Sequence, residues 1–166
     1  MQRRRGFTMI ELLVVISIIG LLSVLGLVAY SSARKKARDA VRVGDIAQFR
    51  RALDIYFTNY QQYPTRIDDG EICVDMACLG VSGWGIANCT VPVYMGYAPP
   101  DPSEVTNGNA CTFSSGVNRC NYAYVPLNPS PYQQYNMYFS LENGSGDLGS
   151  GVNCATEAGV TSSCTH

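Results

Sequence analysis

Residues 6–30 read GFTMIELLVVISIIGLLSVLGLVAY, a nearly unbroken apolar run. From Phe7 to Tyr30 there are 24 residues and a single charge, Glu11. As a helix the stretch is roughly 36 Å long, enough to cross a bilayer core of about 30 Å. A helix apolar all round for this length suits lipid or a bundle of like helices better than the core of a small soluble domain. On one side Arg3-Arg4-Arg5 precedes Gly6; on the other come Arg34, Lys35, Lys36, Arg38 and Arg42. Basic groups at both ends leave the orientation open to the positive-inside rule.

Glu11 is the anomaly in the span. A carboxylate within a bilayer costs on the order of 3 kcal/mol on insertion scales, less near the interface. It is either a protonated, poorly placed acid or a functional acid that needs a cationic partner. No Lys or Arg lies within the span; a free α-amine on a neighbouring chain would serve if the chain were cut before Phe7. A secretory signal with a cut after Ser31-Ser32-Ala33 fits less well, since its apolar stretch would be about 7–15 residues. A plain membrane anchor needs neither a cut nor Glu11.

The run Gly6-Phe7-Thr8-Met9-Ile10-Glu11-Leu12, behind a basic leader, resembles the processing motif of type IV pilins and type II secretion pseudopilins. The resemblance implies cleavage after Gly6 by a prepilin peptidase and methylation of Phe7. It also implies that Glu11, the fifth mature residue, pairs with the N-terminal amine of an adjacent subunit during assembly, with Phe7 and Thr8 at the same contact. Such a pairing neutralises two charges that are each costly in lipid. Many family members carry Pro 21 residues after the mature N-terminus, where this chain has Val28. Gly20 and Gly26 remain, each weakening the helix by about 1 kcal/mol against Ala. They read either as points of close helix packing or as sites of flexibility. Ala52-Leu53-Asp54-Ile55-Tyr56 through Gln62-Tyr63-Pro64-Thr65 also resembles the major pseudopilin.

No Pro occurs before Pro64, so the helix is expected to continue from the membrane to about Tyr60–Tyr63. Ile46, Phe49, Leu53, Tyr56, Phe57 and Tyr60 recur at helical spacing and predict a core face. Asp45, Arg51 and Asp54 fall on the opposite, polar face. Lys35–Asp39 and Arg50–Asp54 are expected as i,i+4 pairs. Residues 34–60 carry seven basic and three acidic groups, whereas residues 61–166 carry two and nine. This asymmetry reads as two solvated surfaces, or as basic stalks beside the acidic heads of neighbours. Contact of Arg34–Arg38 with anionic lipid headgroups is a further use.

After Pro64 the composition shifts to Gly, Ser, Asn, Pro, Tyr and Cys. Residues 66–120 read as a long irregular region, which needs a function or staples. Asn121–Leu127 and Gln133–Glu142 alternate at period two and predict an antiparallel hairpin, with Asn128-Pro129-Ser130-Pro131 as its turn and a third strand within 151–160. Seven Cys and no C-x-x-C favour disulfides outside the cytoplasm over zinc or thiol chemistry. Connectivity is not readable. The local pairs Cys73–Cys78, Cys111–Cys120 and Cys154–Cys164 are expected, which leaves Cys89 over. Glu142, Asn143, Ser145 and Asp147 offer oxygen ligands in a Gly-rich turn. Pseudopilins of this type often bind Ca2+ in a C-terminal loop, so Glu142 and Asp147 are candidate Ca2+ ligands. The spacing does not match an EF-hand, and a plain turn is the simpler reading.

The chain has 166 residues, 46% hydrophobic and 15% charged, so it can fold rather than stay disordered. A net charge of −1 gives no case for nucleic acid, and one His, at position 166, gives none for a His-based metal site or triad. No cofactor and no enzymatic activity are expected. The expected fold class is α+β: a long N-terminal helix, transmembrane in its first half, packed by its second half on a small antiparallel sheet with disulfide-stapled loops. The resemblance makes this the pilin fold. The expected parts are a leader (1–6), a transmembrane and filament-core helix (7–30), an amphipathic helix (31–63) and a periplasmic or extracellular head (64–166). The resemblance implies a filament subunit, of a pilus or a type II secretion pseudopilus, made as an inner-membrane precursor with a cytoplasmic N-terminus. Its partners would be further copies of itself, the prepilin peptidase, the inner-membrane assembly platform and, before assembly, the lipid bilayer. The alternative is a monomeric, membrane-anchored extracellular binding protein. An enzyme released at Ala33 finds no nucleophile–base pair to support it.

Overall fold

The computed structural model describes residues 6–65, 72–73, 78–85, 89–102, 122–127 and 130–163. One helix, α1, runs from Met9 to Tyr60. The chain divides between Lys35 and Lys36 into two compact units.

In the first unit, the described side chains of residues 6–27 are all exposed. The apolar pattern has no polar face to turn outward, and none of the unit's described residues covers it. The helix is unbroken at Val28, where the proline of many relatives would stand, and through Ser31-Ser32-Ala33.

The second unit is built on residues 36–60 of α1, whose stripe Ile46, Phe49, Leu53 and Tyr56 is buried, with Phe57 and Tyr60 packed against it. The helix stops where expected. Gln61 takes a positive φ of 55° and its N–H reaches the Phe57 carbonyl at 2.7 Å, a left-handed cap of the kind that ends many helices. Pro64 then bars continuation.

The stripe packs on an antiparallel sheet of β1 (Ile72–Cys73), β5 (Tyr122–Leu127), β6 (Gln134–Leu141), β7 (Gly151–Ala155) and β8 (Val160–Thr161), in the order β1-β5-β6-β7-β8. The predicted hairpin is β5–β6, with Tyr122 opposite Phe139 and Tyr124 opposite Met137. Tyr122, Tyr124, Tyr135, Met137, Phe139 and Leu141 are all buried on the helix-facing core, as period two requires. Phe49 meets Tyr122 at a ring separation of 5.3 Å, and Tyr63 meets Tyr135 at 4.7 Å. The tyrosine hydroxyls end on protein as well as solvent: Tyr124 donates to the Pro64 carbonyl at 3.0 Å and Tyr56 to that of Val81 at 3.2 Å. The expected third strand is two short ones, β7 and β8, joined by a tight turn in which the Thr156 N–H reaches the Gly159 carbonyl at 2.7 Å.

The expected irregular region contains a second, three-stranded sheet in the order β3-β2-β4: β2 (Cys78–Gly80), β3 (Gly83–Gly85) and β4 (Val93–Met95). Strands of three residues hold too few positions for alternation to show. Leu79 and Trp84 from this sheet join the main core.

The disulfide expectation needs correction. Cys78 bonds to Cys89, so the pair Cys73–Cys78 does not form and Cys89 is not the odd one out. The β2–β3 hairpin turns the chain back, and the segment after it closes on β2 at Gly80. A Cβ there would lie 2.5 Å from the Thr90 carbonyl, so only glycine permits the approach. Cys154 is also disulfide-bonded. Cys111, Cys120 and Cys164 lie outside the described residues.

Candidate functional site

The site the sequence singles out is the start of α1. Thr8 stands just before the helix. Its N–H and its hydroxyl both donate to Glu11 Oε2 at 2.8 Å, and the Glu11 N–H returns to Thr8 Oγ1 at 3.3 Å. This is a capping box, which satisfies donors that a helix start otherwise leaves open. The pattern T-x-x-E of Thr8–Glu11 signals this helix start from sequence alone. Phe7, Ile10, Glu11, Val14 and Val15 line an open groove beside the cap.

The two serines of the run are satisfied within the helix. Ser17 donates to the Leu13 carbonyl and Ser23 to that of Ile19, each at 2.8 Å. Such back-bonding to residue i−4 hides a hydroxyl from an apolar medium. An 18-residue window of the helix reaches a mean hydropathy of 2.9 with none of it buried. Gly20 and Gly26 face open space, where an added Cβ would meet nothing within 4 Å.

Further along α1 the structure assembles a charge cluster that sequence reasoning missed. Arg42, almost fully buried, donates to Asp101 through Nε at 2.6 Å and Nη2 at 3.0 Å. Its Nη1 reaches Asp39 at 2.9 Å and Glu142 at 3.1 Å. Arg38 grips Glu142 with two bonds of 2.6 Å. Asp39 accepts the backbone N–H groups of Glu142 and Asn143, both at 2.8 Å. Asp45 is buried and accepts from the Tyr122 hydroxyl at 2.8 Å. The Arg38 hydrogen bonds hold the Glu142 carboxyl below its usual range, whereas burial pushes Asp45 up.

Three expectations change here. Asp45 is not on a solvated face. Asp39 pairs with Arg42 rather than Lys35, because its carboxylate is buried and turned to the β6 end. Arg50–Asp54 is not among the ion pairs of the described residues; Arg50 leans instead on the Glu157 carbonyl at 3.4 Å. The turn offered as a Ca2+ site spends one of its two carboxylates, Glu142, on two arginines. Asp147 lies in the tight turn closed by mutual bonds of Ser145 and Leu148, at 3.0 and 3.1 Å. Among the described residues no group of three or more His, Cys, Asp or Glu is placed to hold a metal.

The capped, exposed apolar helix and the helix-on-sheet head define a class: pilin-like proteins that begin with a methylation motif. Residues 1–27 match the family model described as "Prokaryotic N-terminal methylation motif". The chain is 34% identical over 101 residues to the type II secretion system core protein G of Escherichia coli, covering 61% of this chain and 68% of that protein. Over 65 residues it is 40% identical to the core protein G of Klebsiella pneumoniae, covering 39% of this chain and 46% of that protein. It is 41% identical over 54 residues to fimbrial protein Q of Moraxella bovis, covering 32% of this chain and 34% of that protein. Apart from the Escherichia coli protein, these matches span about half the length of the relatives or less. No solved structure matches. The chain belongs to the pilin and pseudopilin family, on the side of the type II secretion core protein G. The motif and the exposed apolar helix fit a precursor anchored in the inner membrane.

Proposed function

We propose that the chain is a structural subunit of a type II secretion pseudopilus, cut between Gly6 and Phe7 by a prepilin peptidase and methylated at Phe7. The observation that carries this reading is the apolar run of α1, exposed at every described side chain, with its serine hydroxyls and its Glu11 bonded within the helix. A helix so prepared is stable in lipid and equally ready to pack against copies of itself. Polymerisation exchanges lipid contacts for helix contacts around a filament core. The inner-membrane assembly platform would draw the subunit from the bilayer, with its N-terminus cytoplasmic and its head outside.

Glu11 is the assembly acid in this reading. Both Thr8 contacts fall on Oε2, so Oε1 can receive the N-terminal ammonium of a neighbour without breaking the cap. Thr8 then positions the acid, and Phe7 lies at the groove. Gly20 and Gly26 are the points where the helix can bend or approach a neighbour. The chain performs no chemistry of its own and needs no cofactor. The test is assembly in cells that carry the matching secretion system. Glu11→Ala should insert in the membrane and fold its head, yet fail to form filaments or to cross-link between copies near residue 11. Normal filaments from that variant contradict the proposed role of Glu11. A wild-type protein that stays monomeric under the same conditions contradicts the subunit reading itself.

A further inference from the structure

Five cations follow the apolar run between residues 34 and 42, and the structure divides them. Arg38 and Arg42 are neutralised by Glu142, Asp39 and Asp101. Arg34, Lys35 and Lys36 are exposed, with no carboxylate in ion-pair reach among the described residues. One turn earlier Tyr30 is 62% exposed, and the Arg34 guanidinium lies 5.6 Å from its ring centroid. An exposed tyrosine at the end of an apolar span marks a membrane–water interface.

We propose that Arg34, Lys35 and Lys36 form a collar that binds the phosphates of anionic phospholipids in the leaflet where the apolar run ends. The inference rests on the membrane-anchored reading above. If Tyr30 lies at the edge of the hydrocarbon core, Arg34–Lys36 lie about 6–9 Å beyond it along the helix. Headgroups occupy roughly the next 5–7 Å, and long basic side chains reach back toward them. Successive residues turn by about 100°, so the three cations spread over more than half the circumference. A protein partner would meet one face of the helix; a bilayer surrounds it. The shape therefore favours lipid over the acidic head of a neighbouring copy. The collar fixes the depth of the subunit before assembly.

The full chain is tested in mixed micelles of equal phosphatidylglycerol and phosphatidylcholine, with bound lipid read by native mass spectrometry. Membrane insertion is checked separately by resistance to carbonate extraction from vesicles. Wild type should retain phosphatidylglycerol preferentially, and the preference should fall with salt. R34Q/K35Q/K36Q should lower it at least about tenfold, while R34K/K35R/K36R keeps it. The leader arginines are common to all three chains and cancel in the comparison. An inserted wild type with no preference, or an unchanged preference in the glutamine variant, overturns the collar alone. Cross-linking of residue 35 to the acidic head of a second copy, with no lipid preference, overturns it in favour of contact between subunits. A chain that does not insert at all overturns the membrane reading and the collar with it.

Discussion

Among the described residues Arg42 meets three carboxylates, Asp39, Asp101 and Glu142. It is buried with Asp39 and Asp101 around it, so removing it strands two carboxylates out of water. Arg42→Met should destabilise the head by about 3–5 kcal/mol, read by denaturant unfolding of the full chain in detergent. Arg38 is a quarter exposed, and Arg38→Met should cost about 1 kcal/mol or less. The carboxylates also predict a pH dependence. Glu142 titrates lower folded than unfolded, so its stabilisation is complete above its unfolded value and is lost as pH falls through the folded one. Asp45 has the opposite sign: burial raises it, so its protonated form is favoured and ionisation at neutral pH opposes folding. Asp45→Asn keeps an acceptor for Tyr122. It should exceed wild type in stability at pH 7 and match it below about pH 4, as thermal melts across pH would show. Of these partners only Asp39, three residues before Arg42 on the same helix, falls within a sequence rule. The i,i+4 rule pairs a helix with itself, whereas Arg42 finds Asp101 and Glu142 59 and 100 residues away. What could be read was the imbalance of charge between residues 34–60 and the rest, and Arg38 and Arg42 are where part of it is neutralised.

The helix and the β5–β6 hairpin were readable because each is long enough to show its period. Ile46 to Tyr56 repeat at helical spacing, and Tyr135 to Leu141 alternate over four core positions. The three-residue strands β2, β3 and β4 carry no such signal, and Cys89 could not be placed without them. At the helix start, Thr8→Ala removes the cap and should weaken the first turn by about 1 kcal/mol. Hydrogen exchange at Glu11 and Leu12 should then quicken, with Thr8→Ser restoring protection. In the turn after β6, Gly144 has φ +88°, and a Cβ there would lie 2.4 Å from the Leu148 carbonyl. Gly144→Ala should cost about 1–3 kcal/mol through backbone strain and loosen the Asp39 contacts to Glu142 and Asn143. An unshifted melting temperature would contradict that account.

The whole molecule combines a head that buries its core and a charge cluster with an N-terminal run whose described side chains are exposed. The head explains its own stability; for the run, the proposed function supplies the missing surroundings, first lipid and then other copies. Its length, its lone Glu11 and the Gly6-Phe7 junction could all be read from sequence, and the structure adds the Thr8 cap and the satisfied serines. The central claim is that the chain is a processed assembly subunit. The most direct test is mass spectrometry of the N-terminal peptide of the protein taken from its native membrane or filament. A processed subunit begins at N-methylated Phe7. A chain that begins at Met1, or at Arg34, would contradict it.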